Sequence, residues 1–94
     1  MIIAVDFDGT LCLDDGTPNI RLIQRLKQAQ REGDTVILWT CREGNSLREA
    51  VRFLGQFGLV PNYFNQNCPE IVRRNGRDSR KIYADMYIDD KATK

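Results

Sequence analysis

The sequence predicts an α/β fold in which a parallel sheet carries helices on both faces, and three observations predict it. Short apolar runs rich in β-branched residues alternate along the chain with stretches that repeat apolar residues at helical spacing. The runs show no polar alternation, as expected of strands buried on both sides. Acidic residues and a threonine fall just past the ends of the runs, which is where such sheets bind ligands.

Taken in order, Met1 to Val5 reads as the first strand, and Asp8-Gly9-Thr10 with Asp14-Asp15-Gly16-Thr17-Pro18 as turn and loop. Ile20, Leu22, Ile23, Leu26 and Ala29 then recur at helical spacing, with Pro18 before them and Gly33 after. Thr35 to Trp39 is a second buried strand that ends at Thr40. Leu47, Ala50, Val51, Leu54 and Phe57 mark a second amphipathic helix, with Asn45 or Ser46 as its cap and Gly58 as its stop. Asn62 to Phe64 predicts a short third strand. The polar stretch from Asn65 to Arg80 holds a candidate short helix at Pro69 to Arg74. Ala84 to Ile88 is the last strand, closed by Asp89-Asp90.

Composition narrows the functional classes. With 94 residues the chain can build one core and not two, so residues 1–94 are expected to form a single domain. The balance of 41% hydrophobic and 29% charged residues is that of a soluble globular protein. Apolar runs such as Val36 to Trp39 are too short to span a membrane. The first residues lack the basic start and long apolar stretch of a secretory leader, so a cytoplasmic location without a membrane partner is the expectation. A net charge of +1 makes no electrostatic case for nucleic acid, which enters only as a substrate. Cys12, Cys41 and Cys68 have no metal-type spacing, and an odd count without a leader argues against a disulfide framework. Cys41 reads as a reduced packing thiol. Histidine is absent, which removes the commonest general base and the usual transition-metal ligand. Carboxylates or lysines must do any acid–base work.

The residues past the strand ends each meet a demand of phosphoryl transfer. A carboxylate such as Asp6 can attack phosphorus and divide one displacement into two. A second acid two residues on, Asp8, can protonate the leaving oxygen and then activate water. Asp6, Asp8, Asp89 and Asp90 drawn together would repel one another without a cation, and all-oxygen ligands select magnesium. A hydroxyl from Thr40 and an ammonium from a lysine would complete the grip on the phosphoryl oxygens.

Asp6-Phe7-Asp8-Gly9-Thr10-Leu11 resembles the first motif of the haloacid dehalogenase superfamily, Val36-Ile37-Leu38-Trp39-Thr40 its second, and Tyr87-Ile88-Asp89-Asp90 its fourth. The order and strand placement agree over nearly the whole chain. The resemblance implies a three-layer, Rossmann-like parallel sheet, a minimal core of that superfamily without a cap domain. It implies a magnesium-dependent phosphatase that acts on a phosphate monoester through an aspartyl-phosphate intermediate. Asp6 would be the nucleophile, Asp8 the general acid and base, and Thr40 a phosphoryl ligand. The Asp6 carboxylate, the Asp8 backbone carbonyl and Asp89 would hold magnesium, with Asp90 a direct or water-mediated ligand. Gly9, Thr10, Cys41 and Arg42 beside these motifs are the expected substrate contacts. The acid at Asp8 points to the phosphatase-like branch rather than to dehalogenases.

The third motif of the superfamily is a lysine, and Lys81 fits by order. If Ile82 to Asp89 were one straight strand at about 3.3 Å per residue, however, Lys81 would stand roughly 20 Å or more from the site. It can serve only if the strand is short and the chain before it folds back, or if a second subunit supplies it. Strand geometry favours Lys91 instead. Leu11 to Asn19 is too short for a folded cap, so the site should be open. The chain stops soon after Asp90, leaving a sheet edge or helix face that a second copy could cover, most simply as a two-fold dimer.

Plainer readings stand beside these. Asp8-Gly9 and Asp15-Gly16 are common turn pairs, with Asp14 and Asp15 solvated. Asp89-Asp90 could simply close a strand. Arg42 either touches substrate or answers the acidic cluster. Arg73, Arg74, Arg77 and Arg80 read as a solvated basic face, and Trp39 as core rather than ligand platform. Two rival functions remain: a phosphoacceptor domain similar to response-regulator receivers, whose motif order differs from this one, and a catalytically idle interaction module.

Overall fold

The computed structural model describes residues 1–65, 72–73 and 82–90. Its elements are β1 (Ile2–Val5), α1 (Ile20–Arg31), β2 (Thr35–Leu38), α2 (Gly44–Gln56), β3 (Tyr63–Phe64) and β4 (Met86–Ile88). The strands pair in parallel in the order β3-β2-β1-β4, the Rossmann-like arrangement that the sequence predicts. The chain steps outward from β1 to β2 to β3, then returns to lay β4 on the far side of β1. That reversal leaves a crevice at the carboxyl ends of the strands, the usual ligand position in such sheets.

Register decides which side chains meet. Ile3 lies opposite Val36 and Met86, Ala4 opposite Ile37 and Tyr87, and Val5 opposite Leu38 and Ile88. Strand alternation therefore puts Ile3, Val5, Val36, Leu38 and Ile88 on one face. There they form one core with Leu22, Ile23 and Leu26 of α1 and with Ala50 and Leu54 of α2. Right-handed crossovers taken in one direction place successive helices on the same side, which explains why α1 and α2 share this face. The return to β4 runs the other way. On the opposite face Ala4 and Ile37 are covered by Ile82 and Ala84, with Ile2, Tyr63 and Tyr87 around them.

Helix α1 starts where the sequence predicts. The Asn19 side chain accepts a hydrogen bond from the Leu22 N–H at 3.3 Å and donates to the Thr10 carbonyl at 3.0 Å, so it caps the helix and ties it to the loop after β1. Helix α2 begins at Gly44, earlier than Asn45 or Ser46 as cap would allow. Its capping position is Glu43, whose side chain makes no capping hydrogen bond, and Ser46 instead donates its hydroxyl back to the Glu43 carbonyl at 2.9 Å. At the other end of α2, Lys27 of α1 donates to the Phe57 carbonyl at 3.0 Å, a cation placed on a helix C-terminus. A Cβ at Gly58 would stand 2.9 Å from that ammonium, and its φ of +81° is one that glycine adopts freely.

The last strand is shorter than predicted, Met86–Ile88 rather than Ala84 to Ile88. Asp85 replaces a strand pair with its side chain: its carboxylate accepts the Ile2 N–H at 2.7 Å while its own N–H donates to the Ile2 carbonyl at 2.8 Å. Tyr87 then draws the preceding chain back, donating its hydroxyl to the Ile82 carbonyl at 2.6 Å and accepting from the Ala84 N–H at 3.0 Å. Of the candidate helix at Pro69 to Arg74, Val72 and Arg73 are helical, and the rest lies outside the described residues. No helix among the described residues is long and apolar enough to cross a membrane.

Candidate active site

The apolar run of β1 ends at Asp6 because the next residues turn. The Asp6 N–H still pairs with the Ile88 carbonyl at 2.9 Å, after which the Thr10, Leu11 and Cys12 N–H groups all converge on the Phe7 carbonyl within 3.2 Å. Phe7 and Leu11 are buried and anchor this tight loop in the core. Gly9 has a φ of +78°, and a Cβ there would meet the Asp90 Cβ at 3.3 Å. The loop after β1 and the acidic pair after β4 thus touch at a glycine, which keeps Asp90 beside the Asp6 loop.

Asp6 is half-buried, and its Oδ1 accepts the Phe7 N–H at 2.8 Å, which fixes the carboxylate's orientation. Burial raises its pKa from the ordinary value, the Phe7 hydrogen bond works against that rise, and the charges of Asp8, Asp90 and Asp89 add to it. Asp8 behaves oppositely. It is exposed, and Arg42 grips it with two hydrogen bonds, Nε to Oδ2 at 3.0 Å and Nη2 to Oδ1 at 2.9 Å, holding its carboxyl below the ordinary value. Arg42 also donates to the Ser46 carbonyl at 3.0 Å and lies 4.9 Å above the Phe7 ring. Its fork therefore grips Asp8 and the Ser46 carbonyl.

Beyond β2, the Thr40 Oγ1 accepts the Arg42 N–H at 3.2 Å, leaving its own proton to donate. The Thr40 N–H donates to Asn65 Oδ1 at 2.8 Å, while the Asn65 N–H donates to the Leu38 carbonyl at 2.8 Å. Asn65 sits just past β3 at a φ of +52°, a conformation asparagine tolerates better than most residues. The sequence places Asn65 at the start of a polar stretch. The rule that flagged Asp6 and Thr40, a polar residue at a strand's carboxyl end, would have found it too.

A cleft of about 330 Å³ opens at this edge, lined by Asp6, Trp39, Thr40, Cys41, Asp89 and Asp90. Five of the predicted site residues, Asp6, Thr40, Cys41, Asp89 and Asp90, thus share one wall. Two expectations need correction. Trp39 is not core, being 44% exposed on the cleft. Cys41 is exposed on the same wall rather than packed, because the strand has ended and its side chain has no layer to enter. Thr10 goes the other way: it is buried, and among the described residues its hydroxyl has no hydrogen-bond partner. The plain reading of Asp15 holds, since it closes a turn by accepting from the Thr17 N–H and hydroxyl. Lys81, Lys91 and Cys68 lie outside the described residues. The premise that set Lys81 far away does not stand, because Ile82 is folded back under the Tyr87 hydroxyl.

The candidate metal donors are all oxygens, which suits magnesium better than zinc or copper. Burial is the main cause of the rise at Asp6, and the smaller part due to the Asp8, Asp90 and Asp89 charges is what a bound cation would offset. Among the described residues no three carboxylate or thiol groups are gathered tightly enough to hold an ion by themselves. The ligand set implied by the resemblance does not need that, since it counts a backbone carbonyl and water among its donors.

A family profile described as haloacid dehalogenase-like hydrolase matches residues 3–94, and the chain belongs to that family. A solved structure of a conserved protein from Bacteroides thetaiotaomicron is similar to it, at 38% identity and a TM-score of 0.81, over 98% of this chain and 77% of that one. No curated protein matches the chain.

Proposed function

We propose that the chain is a capless, magnesium-dependent phosphatase that hydrolyses a phosphate monoester through an aspartyl-phosphate on Asp6. The observation that carries this reading is the shared cleft wall: an oriented, half-buried carboxylate faces the same space as Thr40, Asp89 and Asp90. A carboxylate oxygen of Asp6 attacks phosphorus, the phosphorus–oxygen bond to the leaving group breaks, and Asp8 gives that oxygen its proton. Water then attacks the phosphorus of the acyl-phosphate, Asp8 takes the water's proton, and inorganic phosphate leaves with Asp6 restored. The Arg42 clamp keeps Asp8 ionised, the form that accepts a proton in the second half. Donation in the first half requires Arg42 to turn away. The Thr40 hydroxyl donates to a phosphoryl oxygen. Magnesium, held by Asp6, Asp89, Asp90 and the Asp8 carbonyl, would supply positive charge to the transferring group.

The test is phosphate release from a generic ester. Turnover is expected with magnesium, and loss with EDTA. Asp6→Asn should fold yet release no phosphate, because an amide cannot attack phosphorus. Undiminished turnover by folded Asp6→Asn, or in chelator, would overturn the mechanism. A stable phosphoaspartate without turnover would favour the receiver-like alternative.

A further inference from the structure

We propose that Trp39 is a stacking platform that selects phosphate esters carrying a flat aromatic ring, nucleotides foremost. The proposal rests on the phosphatase reading above and names its substrate class. Trp39 follows three fully buried residues, Val36, Ile37 and Leu38, yet its own side chain is 44% exposed and lines the cleft beside Asp6 and Thr40. It is held rather than loose. Its backbone N–H donates to the Val5 carbonyl at 2.9 Å, and its indole meets Tyr87 edge to face, with centroids 5.9 Å apart and planes at 67°. Tyr87 is fixed in turn by its two hydrogen bonds to Ile82 and Ala84. An indole held by its backbone and by a neighbouring ring, and half open on the cleft that Asp6 also lines, suits a stacked ring because little freedom is lost on binding.

The rest of the lining separates a nucleobase from a sugar. Asp6, Thr40, Asp89 and Asp90 are committed to the phosphoryl end. Among the described residues that leaves an indole and the Cys41 thiol for the leaving group. The indole carries a single N–H donor and the thiol a weak one, too few to read the several hydroxyls of a polyol, whereas the indole's apolar surface suits a planar ring. At about 330 Å³ the cleft is at the small end for ligand sites, enough for one ring and its phosphate.

Trp39 is the one tryptophan of the chain, so intrinsic fluorescence reports it alone. Asp6→Asn protein with magnesium is titrated with adenosine and guanosine monophosphates, and with ribose 5-phosphate and glycerol phosphate as ring-free probes. Saturable quenching by the nucleotides is expected, with affinity at least about tenfold tighter than for the ring-free esters. In Trp39→Leu, measured by calorimetry, the nucleotide preference should fall by about 5- to 150-fold, the range typical of lost base stacking. Trp39→Phe should keep part of it, and stands in if the leucine variant does not fold. Equal affinities for both classes overturn the proposal, as does an equal loss for both in Trp39→Leu or tighter binding of ribose 5-phosphate than of the nucleotides. Binding decides the matter without turnover. Failure of the wild-type protein to release phosphate from any ester therefore strikes the phosphatase reading, and the titration still judges the platform.

Discussion

On one face of the sheet, Ile3, Val5, Val36, Leu38 and Ile88 meet two helices and are closed from water. On the other, Ala4 and Ile37 lie under Ile82 and Ala84, and the aromatic residues Trp39 and Tyr87 stand at the margin, one of them half open. The first face is aliphatic packing between regular elements. Among the described residues the second adds to its apolar contacts two hydrogen bonds at one tyrosine hydroxyl, which donates to Ile82 and accepts from Ala84, chain that is not strand. The difference teaches where stability and site-building separate: the helix face sets how firmly the sheet stands, and the other face sets the shape of the cleft wall.

Breaking the helix face should cost most. Leu54 is fully buried in α2 against that core, so Leu54→Ala should lose about 2–5 kcal/mol, the usual range for a truncated core leucine. Urea unfolding measures it. Activity per folded molecule should change little, and a loss below about 1 kcal/mol would mean that the packing of α2 on the sheet adds little to stability. Tyr87→Phe attacks the opposite face. It leaves the Ile82 carbonyl and the Ala84 N–H without their partner in a part-buried setting, a cost of about 1–3 kcal/mol. Here the effect on substrate affinity should exceed the effect in Leu54→Ala, because the support beneath Trp39 is loosened. A Tyr87→Phe protein with lowered stability and untouched affinity would refute the division between the faces.

Much of the helix face was legible in the sequence, and the reason is periodicity. β1, α1 and β2 follow from apolar runs and helical spacing, signals that packing against a core imposes on every residue. The start of α2 was not legible, because Asn45 and Ser46 resemble caps while the capping position falls on Glu43, which makes no capping bond. The start of β4 was hidden for a similar reason: the carboxylate of Asp85 takes the place of a strand partner, and no local pattern announces that. In the site, Asp6, Thr40, Asp89 and Asp90 were visible from one topological rule about strand ends. Trp39 was not, since it continues an apolar run and only the structure shows that the layer stops at Leu38. The same rule reaches Asn65, just past β3, but not its partner, since that contact with Thr40 depends on a left-handed backbone and on the pairing of β2 with β3. The grip of Arg42 on Asp8 joins residues 34 apart in the chain, a contact that no local pattern announces.

The smallest expected effect concerns that last pair. Asp8 has a side chain 60% exposed, so its two hydrogen bonds with Arg42 are screened by solvent and should contribute no more than about 1 kcal/mol, with the guanidinium on Phe7 adding a similar amount. Folding lowers the Asp8 pKa below its unfolded value. The folded state therefore binds fewer protons between the two values, and the pair's contribution is present above the unfolded pKa and lost as pH falls through the folded one. Arg42→Gln should thus cost about 0.5–2 kcal/mol at pH 7 by urea unfolding. That deficit should shrink below the ordinary carboxylate range, where Asp8 is protonated in both states and only the Phe7 contact remains. Raising the salt at pH 7 should shrink it in the same way. A deficit that stays constant through acid and salt would show that Arg42 acts through Phe7 and the Ser46 carbonyl alone, and that the clamp on Asp8 adds nothing to the stability of the loop that carries it.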